Sequence, residues 1–222
     1  MSEADHNLPG VITSITPQKK NKERYSIFVD DEFVIGVAES TLLDNDLKKG
    51  VEMTPSLFRK LQRDENRHAV KSYMLGLLAR RDHARRELYN KAKRKDFPPE
   101  FINSVLDELQ EKDFLNEEEF AHKFARDKSH LNRWGPAKIK AHLYKKGISK
   151  EVSERAVNQV LEELDLQERF ENLIDKRKRR FMREDDAFKR KKKVFDYLQR
   201  KGYYPGSIYN YLDDLMKRLK NE

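Results

Sequence analysis

Carboxylate clusters are the first groups in this chain whose residue types could support a reaction. Glu117–Glu119 and the pair Asp213-Asp214 place acidic side chains next to one another, and adjacent carboxylates can hold Mg²⁺, as in a nuclease. Glu117–Glu119, however, open a predicted helix, where carboxylates complement the helix dipole and the unpaired N–H groups of the first turn. We therefore interpret this cluster as a helix start and predict no catalytic role for it.

Other residue types that build active sites and cofactor sites are absent or badly spaced. The chain has no cysteine, and its eight glycines are dispersed rather than gathered in a nucleotide-binding loop. It contains neither the G-x-x-x-x-G-K-[ST] phosphate loop nor the H-E-x-x-H zinc motif. The six histidines, which share no ligand spacing, are His6, His68, His83, His122, His130 and His142. The sequence predicts a protein that is not an enzyme and has neither a cofactor nor a metal site.

Basic side chains give the strongest charge signal. Residues 176–193 contain eleven Lys and Arg, opposed only by Glu184, Asp185 and Asp186. Two helices joined by this acidic turn cannot direct every cation to one face, so part of the run is expected only to solvate the surface. The rest could neutralise phosphates by counterion release, which gives salt-sensitive binding without sequence preference. Contact with nucleic acid or an acidic partner, and plain solvation, remain alternative interpretations.

Aromatic residues near these charges also have alternative roles. Phe181, Phe188 and Phe195 follow one another at intervals of seven residues, which favours a buried helix face over base stacking. Trp134, the only tryptophan, precedes Gly135-Pro136 at the start of a predicted helix. It could anchor a partner, as tryptophan often does at interfaces, or it could fix the packing between helices.

The elements that must position these residues are helices in a repeat of about fifty residues. Each copy has an apolar i, i+4 pair, a basic residue, a Gly or Asp that interrupts the helix, a large apolar residue and a second apolar helix. At these interruptions the three copies have the sequences Lys95-Asp96-Phe97, Lys146-Gly147-Ile148 and Lys201-Gly202-Tyr203. Repeats of this length indicate small helical units that stack on their neighbours. Stacked units favour binding of a polymer or filament over binding in a pocket.

The first sixty or so residues differ from the rest. Strong β-formers occupy Val11–Thr16, Tyr25–Val29 and Phe33–Val37, and the last two segments flank the acidic turn Asp30-Asp31-Glu32. We predict a small β-rich domain of three or four strands, with helices from about Pro55 onward.

The predicted fold class is therefore mostly α: three tandem three-helix modules in an elongated curved array, preceded by the small β-rich domain. The predicted domains are residues 1–60 (β-rich), 61–113 (module 1), 114–165 (module 2) and 166–222 (module 3).

Composition and charge limit the partners. Charged residues make up 39% of the chain and apolar residues 37%, so the core must be thin. The net charge of +8 is uneven, because residues 1–65 carry −3 and the remainder +11. A basic surface suits nucleic acid or an acidic protein groove. No apolar segment approaches the roughly 18–20 residues of a membrane span. We expect a cytoplasmic protein without a membrane partner.

Residues of the second module resemble a known family. Asp113–Ala121, Trp134–Ile139 and Leu143 with Lys146-Gly147-Ile148 are similar to the central motif of the RecX regulatory proteins of bacteria. Ile15–Tyr25 resembles the β-rich extension of longer family members. The resemblance runs from about residue 10 to the C-terminus.

The resemblance implies a non-catalytic protein that binds the RecA recombinase. It would lodge in the helical groove of the RecA filament on single-stranded DNA and limit filament growth. RecA's ATPase, strand-exchange and coprotease activities would fall, which implies regulation of recombination, DNA repair and the SOS response. The predicted partners are the RecA filament and, weakly and without sequence preference, single- or double-stranded DNA. We expect a monomer.

Charge and position select the residues expected at this interface, which are Trp134, Lys138, Lys140, Lys145, Lys146, Arg177, Arg179, Arg180, Lys191 and Lys192. The alternative function is a sequence-independent nucleic-acid-binding protein without a recombinase partner, which would lose affinity uniformly when any lysine cluster is removed. A second alternative is an enzyme with an acidic site, for which Mg²⁺-dependent turnover would depend on one carboxylate pair.

Overall fold

A four-stranded antiparallel sheet begins the part of the chain that the computed structural model describes, residues 8–220. Its strands are β1 (Gly10–Pro17), β2 (Arg24–Val29), β3 (Glu32–Ala38) and β4 (Glu52–Met53), in the order β3-β2-β1-β4. Ile12, Ile27 and Met53 are fully buried in its core. The predicted β-rich domain is confirmed.

The turn between β2 and β3 explains how a hairpin forms without the usual Asn-Gly. Val29 pairs with Glu32, so two residues form the loop. Asp30 and Asp31 both adopt left-handed conformations, with φ of 49° and 65°. Two-residue hairpin turns of type I′ require positive φ at both central positions, and aspartate tolerates this conformation better than most residues. The predicted hairpin is confirmed.

Helices account for most of the remaining described residues. They are α1 (Glu39–Asp44), α2 (Pro55–Leu78), α3 (Arg85–Lys93), α4 (Pro99–Glu111), α5 (Glu117–His130), α6 (Pro136–Lys145), α7 (Lys150–Glu162), α8 (Leu166–Asp175), α9 (Lys178–Met182), α10 (Ala187–Lys201) and α11 (Pro205–Lys220). Proline begins α2, α4, α6 and α11, because the first helical residue needs no N–H donor. None of the described helices combines the length and apolarity needed to cross a membrane.

The chain groups into two compact units. The first comprises the chain up to Arg81 together with Leu88–Leu109, and the second comprises Asp82–Glu87 together with the chain from Gln110 onward. In the first unit, α2 is continuous through the predicted domain boundary at residues 60 and 61. That boundary stays a prediction.

One carboxylate joins the sheet to α2 in the first unit. Glu65 accepts hydrogen bonds from the Arg24 guanidinium at 2.8 Å, the Ala38 N–H at 2.7 Å and the Thr41 hydroxyl at 2.7 Å. Its side chain is only 12% exposed. A poorly hydrated carboxylate with three donors holds β2, β3 and α1 against the helix.

The second unit contains two helical groups, three helices in α5–α7 and four in α8–α11, each with its own core. In α5–α7 the core includes Ala121, Ile139, Leu143 and Val157. In α8–α11 the largest fully buried side chains are Phe170 and Ile174, and the five-residue α9 is an addition to the predicted three helices. With α3, α4 and the end of α2, these groups confirm that helical modules follow the β-rich domain, and the bounds of the modules stay a prediction.

The aromatic face predicted for the third module is partly wrong. Phe181 is 4% exposed, and Phe195 packs against the module core. Phe188 is 79% exposed. It lies in the first turn of α10, whereas the buried residues Val194 and Leu198 lie further along that helix. Spacing of seven residues identifies a helix face but not how far along the helix a neighbour covers it.

Candidate nucleic-acid interface

The acidic clusters take part in local structure. Asn116 caps α5 by accepting a hydrogen bond from the Glu119 N–H at 3.0 Å, so Glu117–Glu119 form the first turn. Their interpretation as a helix start is confirmed. Asp213 accepts a hydrogen bond from Lys191 at 2.6 Å, which is the main reason that the pKa of Asp213 lies below its usual value. Among the described residues, no three His, Asp or Glu side chains form a group that could hold a metal ion.

Trp134 packs inside its own module. The indole is half-buried against the α5–α7 core, and its ring centroid lies 4.5 Å from that of His142. Lys138 Nζ lies 4.7 Å from the indole centroid and Lys128 Nζ lies 5.5 Å from it. Cation–π contacts of this length are attractive and hold the ammonium groups over the ring. Trp134 therefore packs between helices of its own module, as one of the two interpretations predicted. Its contact with a partner stays a prediction.

Positive charge is concentrated around His142. Burial is the main cause that lowers the pKa of this imidazole, and the ammonium groups of Lys145, Lys138, Lys128 and Lys146 lower it further, in that order. Four lysines therefore act on one half-buried ring. The imidazole is expected to be neutral near pH 7, because its ordinary pKa is already about 6.5.

The lysines of α6 and of the turn after it differ in their availability. Lys146 Nζ pairs with Glu87 Oε1 at 2.8 Å and lies 5.4 Å from the Phe124 ring centroid. Lys140 Nζ lies 3.9 Å from Glu154 Oε1, at the limit of an ion pair. Within the described chain, Lys138 and Lys145 have no carboxylate partner.

A backbone joint connects the second and third modules. The Gly135 N–H donates to the Lys201 carbonyl at 2.8 Å, and the Ala137 N–H donates to the Gly202 carbonyl at 3.0 Å. A Cβ atom on Gly135 would lie 2.4 Å from the Gly202 carbonyl carbon. Because the two backbones are in direct contact, neither module can move relative to the other at this point without breaking these hydrogen bonds.

Close contacts with neighbouring segments explain where the repeat requires glycine. The residue that interrupts the helix has a left-handed conformation in every module, with φ of 58° at Asp96, 90° at Gly147 and 98° at Gly202. A Cβ atom would lie 2.9 Å from Arg86 Cβ at Gly147 and 2.4 Å from Lys138 Cβ at Gly202. Asp96 is exposed. Aspartate is tolerated there because its side chain extends into solvent.

Side chains complete the joint. Arg169, only 6% exposed, donates from Nη1 to the Ser129 carbonyl near the end of α5 at 2.7 Å. The Tyr203 hydroxyl donates to the Arg133 carbonyl at 3.4 Å. Burial raises the pKa of Tyr203 to about 12 and lowers the pKa of Arg169. Both groups occupy a poorly hydrated interface, where helix-end carbonyls need donors.

Lys201 brings together the basic residues of the two modules. Its ammonium donates to the Asn132 carbonyl at 3.1 Å. Burial lowers its pKa first, and the charges of Lys138, Arg177 and Lys176 lower it further. Residues that the sequence analysis assigned to separate modules, Lys138 and Arg177, therefore act on the same ammonium group.

The third module carries two basic depressions. A cleft of about 180 Å³ is lined by Arg177, Arg180, Phe181, Lys193, Tyr197 and Arg200. A wider groove of about 1080 Å³ is lined by residues that include Lys176, Arg177, Arg179, Arg180 and Arg183. The predicted residues Arg177, Arg179 and Arg180 thus share one basic surface.

Lys191 and Lys192 line neither depression. Lys191 is held by Asp213, and Lys192 is exposed on α10. Arg200 and Lys201 were not selected from the sequence, although Lys201 occupies the same repeat position as Lys146. That correspondence could have identified Lys201.

Family models match the β-rich domain and each of the three helical modules. The Regulatory protein RecX N-terminal domain matches residues 10–54, and the first, second and third RecX three-helix domains match residues 71–109, 116–157 and 163–212. The chain belongs to the RecX family. The RecX resemblance is confirmed, and so is the predicted mostly α fold class of three three-helix domains preceded by a small β-rich domain.

Individual RecX proteins resemble the chain along most of its length. The regulatory protein RecX of Clostridioides difficile is 31% identical over 215 residues, which cover 96% of this chain and 97% of that protein. RecX of Clostridium beijerinckii is 29% identical and covers 86% of this chain and 89% of its own length.

Solved RecX structures share the architecture. A crystal structure of regulatory protein RecX aligns with a TM-score of 0.80 at 27% identity, over 92% of this chain and 99% of that one. The crystal structure of RecX from Lactobacillus salivarius aligns with a TM-score of 0.60 at 23% identity, over 71% of this chain and 98% of that one. The latter likeness concerns the fold alone.

Proposed function

We propose that this protein is a non-catalytic regulator that binds the RecA filament and limits its growth, with consequent loss of RecA ATPase and recombination activity. The observation that carries the proposal is the ordered match of four RecX domains along the chain. In this proposal the protein acts in the cytoplasm as a monomer and affects DNA repair through RecA.

The charge distribution of the second unit supports this proposal. Lys138, Arg177 and Lys201 lie near the joint between two modules, and a fixed joint keeps their spacing constant. A filament presents its subunits at regular intervals, so a binder with fixed spacing loses little conformational entropy when it binds. Positive charge also raises the rate of encounter with an acidic groove.

The contact residues are proposed according to their availability. Lys138, Lys145, Arg177, Arg179 and Arg180 are the cations that we assign to the partner surface. Trp134 would contribute through the exposed part of its ring. The remaining predicted cations, Lys140, Lys146, Lys191 and Lys192, are assigned a smaller role, because the first three lie near carboxylates within the chain and Lys192 lines neither depression.

The test is the RecA ATPase rate on single-stranded DNA with this protein added well below one copy per RecA monomer. We expect strong suppression, because a block at one point of a filament prevents growth beyond it. Suppression that needs stoichiometric protein and disappears with extra DNA would contradict filament-directed action.

The second candidate is a sequence-independent nucleic-acid-binding protein without a recombinase partner. The basic groove and cleft of the third module favour it, because clustered guanidinium groups bind phosphates. In the same ATPase experiment it predicts that added competitor DNA restores the rate in proportion to the DNA supplied.

A further inference from the structure

The cleft in the third module has an unusual excess of donors. Arg177, Arg180 and Arg200 supply guanidinium groups, and Lys193 supplies an ammonium group, around the ring of Tyr197. Lys193 pairs with Glu184 at 2.5 Å. Arg177, Arg180 and Arg200 have no ion-pair partner within residues 8–220. Three positive charges around about 180 Å³ repel one another, and a bound anion would relieve that repulsion.

Aromatic packing fixes one wall of the cleft. The Arg177 guanidinium carbon lies 4.9 Å from the Tyr197 ring centroid, and that ring lies 5.7 Å from the buried ring of Phe181. A stacked guanidinium keeps its planar N–H fork pointing in a defined direction. The donors of Arg177 are therefore pre-organised, which lowers the entropic cost of binding an anion.

Positive charge continues from the cleft to the joint. Arg200 is followed by Lys201, whose ammonium interacts electrostatically with Lys176, Arg177 and Lys138. Lys201 is held in place by the Asn132 carbonyl. A linear polyanion leaving the cleft in this direction would meet further cations on the second module.

The chemistry of the lining distinguishes between possible anions. Apart from the Tyr197 hydroxyl, the polar groups of the side chains that line the cleft are N–H donors. A peptide carries backbone N–H groups that need acceptors, and the lining offers them few. The phosphodiester backbone of DNA has acceptor oxygens only.

We infer that Arg177, Arg180 and Arg200 around Tyr197 form a phosphate-binding cleft for a nucleic-acid backbone, and that Lys201 and Lys138 contact the neighbouring phosphates of the same strand. This inference rests on the proposed function, because it names the nucleic-acid contact of a protein that acts on DNA-bound filaments. The site does not distinguish base sequences, because its donors bind only the phosphate backbone of the nucleic acid.

The experiment measures binding of a fluorescein-labelled oligothymidylate by fluorescence anisotropy, without recombinase, at several salt concentrations. The variant R177Q/R180Q/R200Q removes the cleft cations. Its matched control, R126Q/K150Q/K189Q, removes the same charge from exposed side chains of the second unit that have no ion-pair partner in the described chain. Circular dichroism and thermal unfolding verify that both variants fold.

We expect the cleft variant to raise Kd by about tenfold or more near 0.1 M salt and to reduce the slope of log K against log salt by about 1 to 2, since each lost phosphate contact on a single strand contributes about 0.7. The control should change both quantities much less. If the triple variant fails to fold, the single variants R180Q and R200Q, which alter exposed side chains, are measured in the same way and should each lower the slope.

Two results would overturn the inference. Equal loss of affinity in the cleft variant and the control would mean that only net charge matters. Equally effective competition by polyglutamate of similar length would mean that the surface accepts any polyanion. Because RecA is absent from the assay, either result leaves the RecA proposal to its own ATPase test.

Discussion

Gly135 and Gly202 meet with no room for a side chain at either position. A Cβ atom on Gly135 would lie 2.4 Å from the Gly202 carbonyl carbon, and one on Gly202 would lie 2.4 Å from Lys138 Cβ. The backbone hydrogen bonds from Gly135 to Lys201 and from Ala137 to Gly202 run through the same contact. Two short motifs in separate repeats are therefore halves of one joint.

Substitution of Gly202 by Ala should destabilise the second unit by about 2–5 kcal/mol. The left-handed φ of 98° is strained for alanine by about 1–2 kcal/mol, and displacement of the Lys138 backbone costs about 1–3 kcal/mol more. The free energy of unfolding in urea measures the effect. Gly206→Ala is the matched control, because a Cβ atom there meets nothing within 4 Å. Equal free energies of unfolding for the two variants would show that the modules can move apart at Gly202 without loss of stability.

Tyr203 should make the protein lose stability at alkaline pH. Its folded pKa of about 12 lies above the ordinary value of 10.0, so the unfolded state releases the phenolic proton first. The stabilisation that Tyr203 contributes to folding is complete below pH 10. It is lost as the pH rises toward 12, by about 1.4 kcal/mol per pH unit. The difference in unfolding free energy between pH 9 and about 11 should therefore be smaller in Tyr203→Phe. An identical difference in both proteins would mean that Tyr203 ionises freely in the folded state.

Glu65→Gln should loosen the β-rich domain from α2. The amide replaces a carboxylate that accepts hydrogen bonds from Arg24, Ala38 and Thr41, and it leaves the Arg24 charge uncompensated. The expected loss is about 2–4 kcal/mol, and faster amide hydrogen exchange at Ala38 would report it locally. Glu52→Gln, at an exposed position in β4, should leave that exchange rate unchanged. Slow exchange at Ala38 in the Glu65 variant would contradict this role.

Lys138→Gln and Arg177→Gln should each weaken the proposed suppression of the RecA ATPase. We expect the concentration for half-suppression to rise about three- to tenfold per variant, because charges at the edge of an interface mainly affect the association rate. Arg126→Gln, which removes an exposed charge from α5, is the control. Unchanged suppression in both test variants would exclude this surface from the RecA contact.

The sequence by itself determined the helical modules and the β-rich beginning of the chain. Apolar i, i+4 pairs such as Ile139 and Leu143 define a buried helix face from local spacing alone. The alternating β-formers around Asp30-Asp31 likewise define a hairpin. Both patterns depend on neighbours in the sequence, so they remain visible without a structure. The RecX resemblance was visible for the same reason, because it is carried by short contiguous motifs.

Only the tertiary structure decided which charges are available and which residues lie together. Lys146 is neutralised by Glu87 and Lys191 by Asp213, and these partners lie far away in the sequence. Besides burial, Lys138 and Arg177 both lower the pKa of Lys201, because the modules join through Gly135 and Gly202. Phe188 is exposed, whereas Phe195, seven residues later in α10, packs against the module core. Ion pairing and burial depend on packing between distant segments, which local periodicity does not encode.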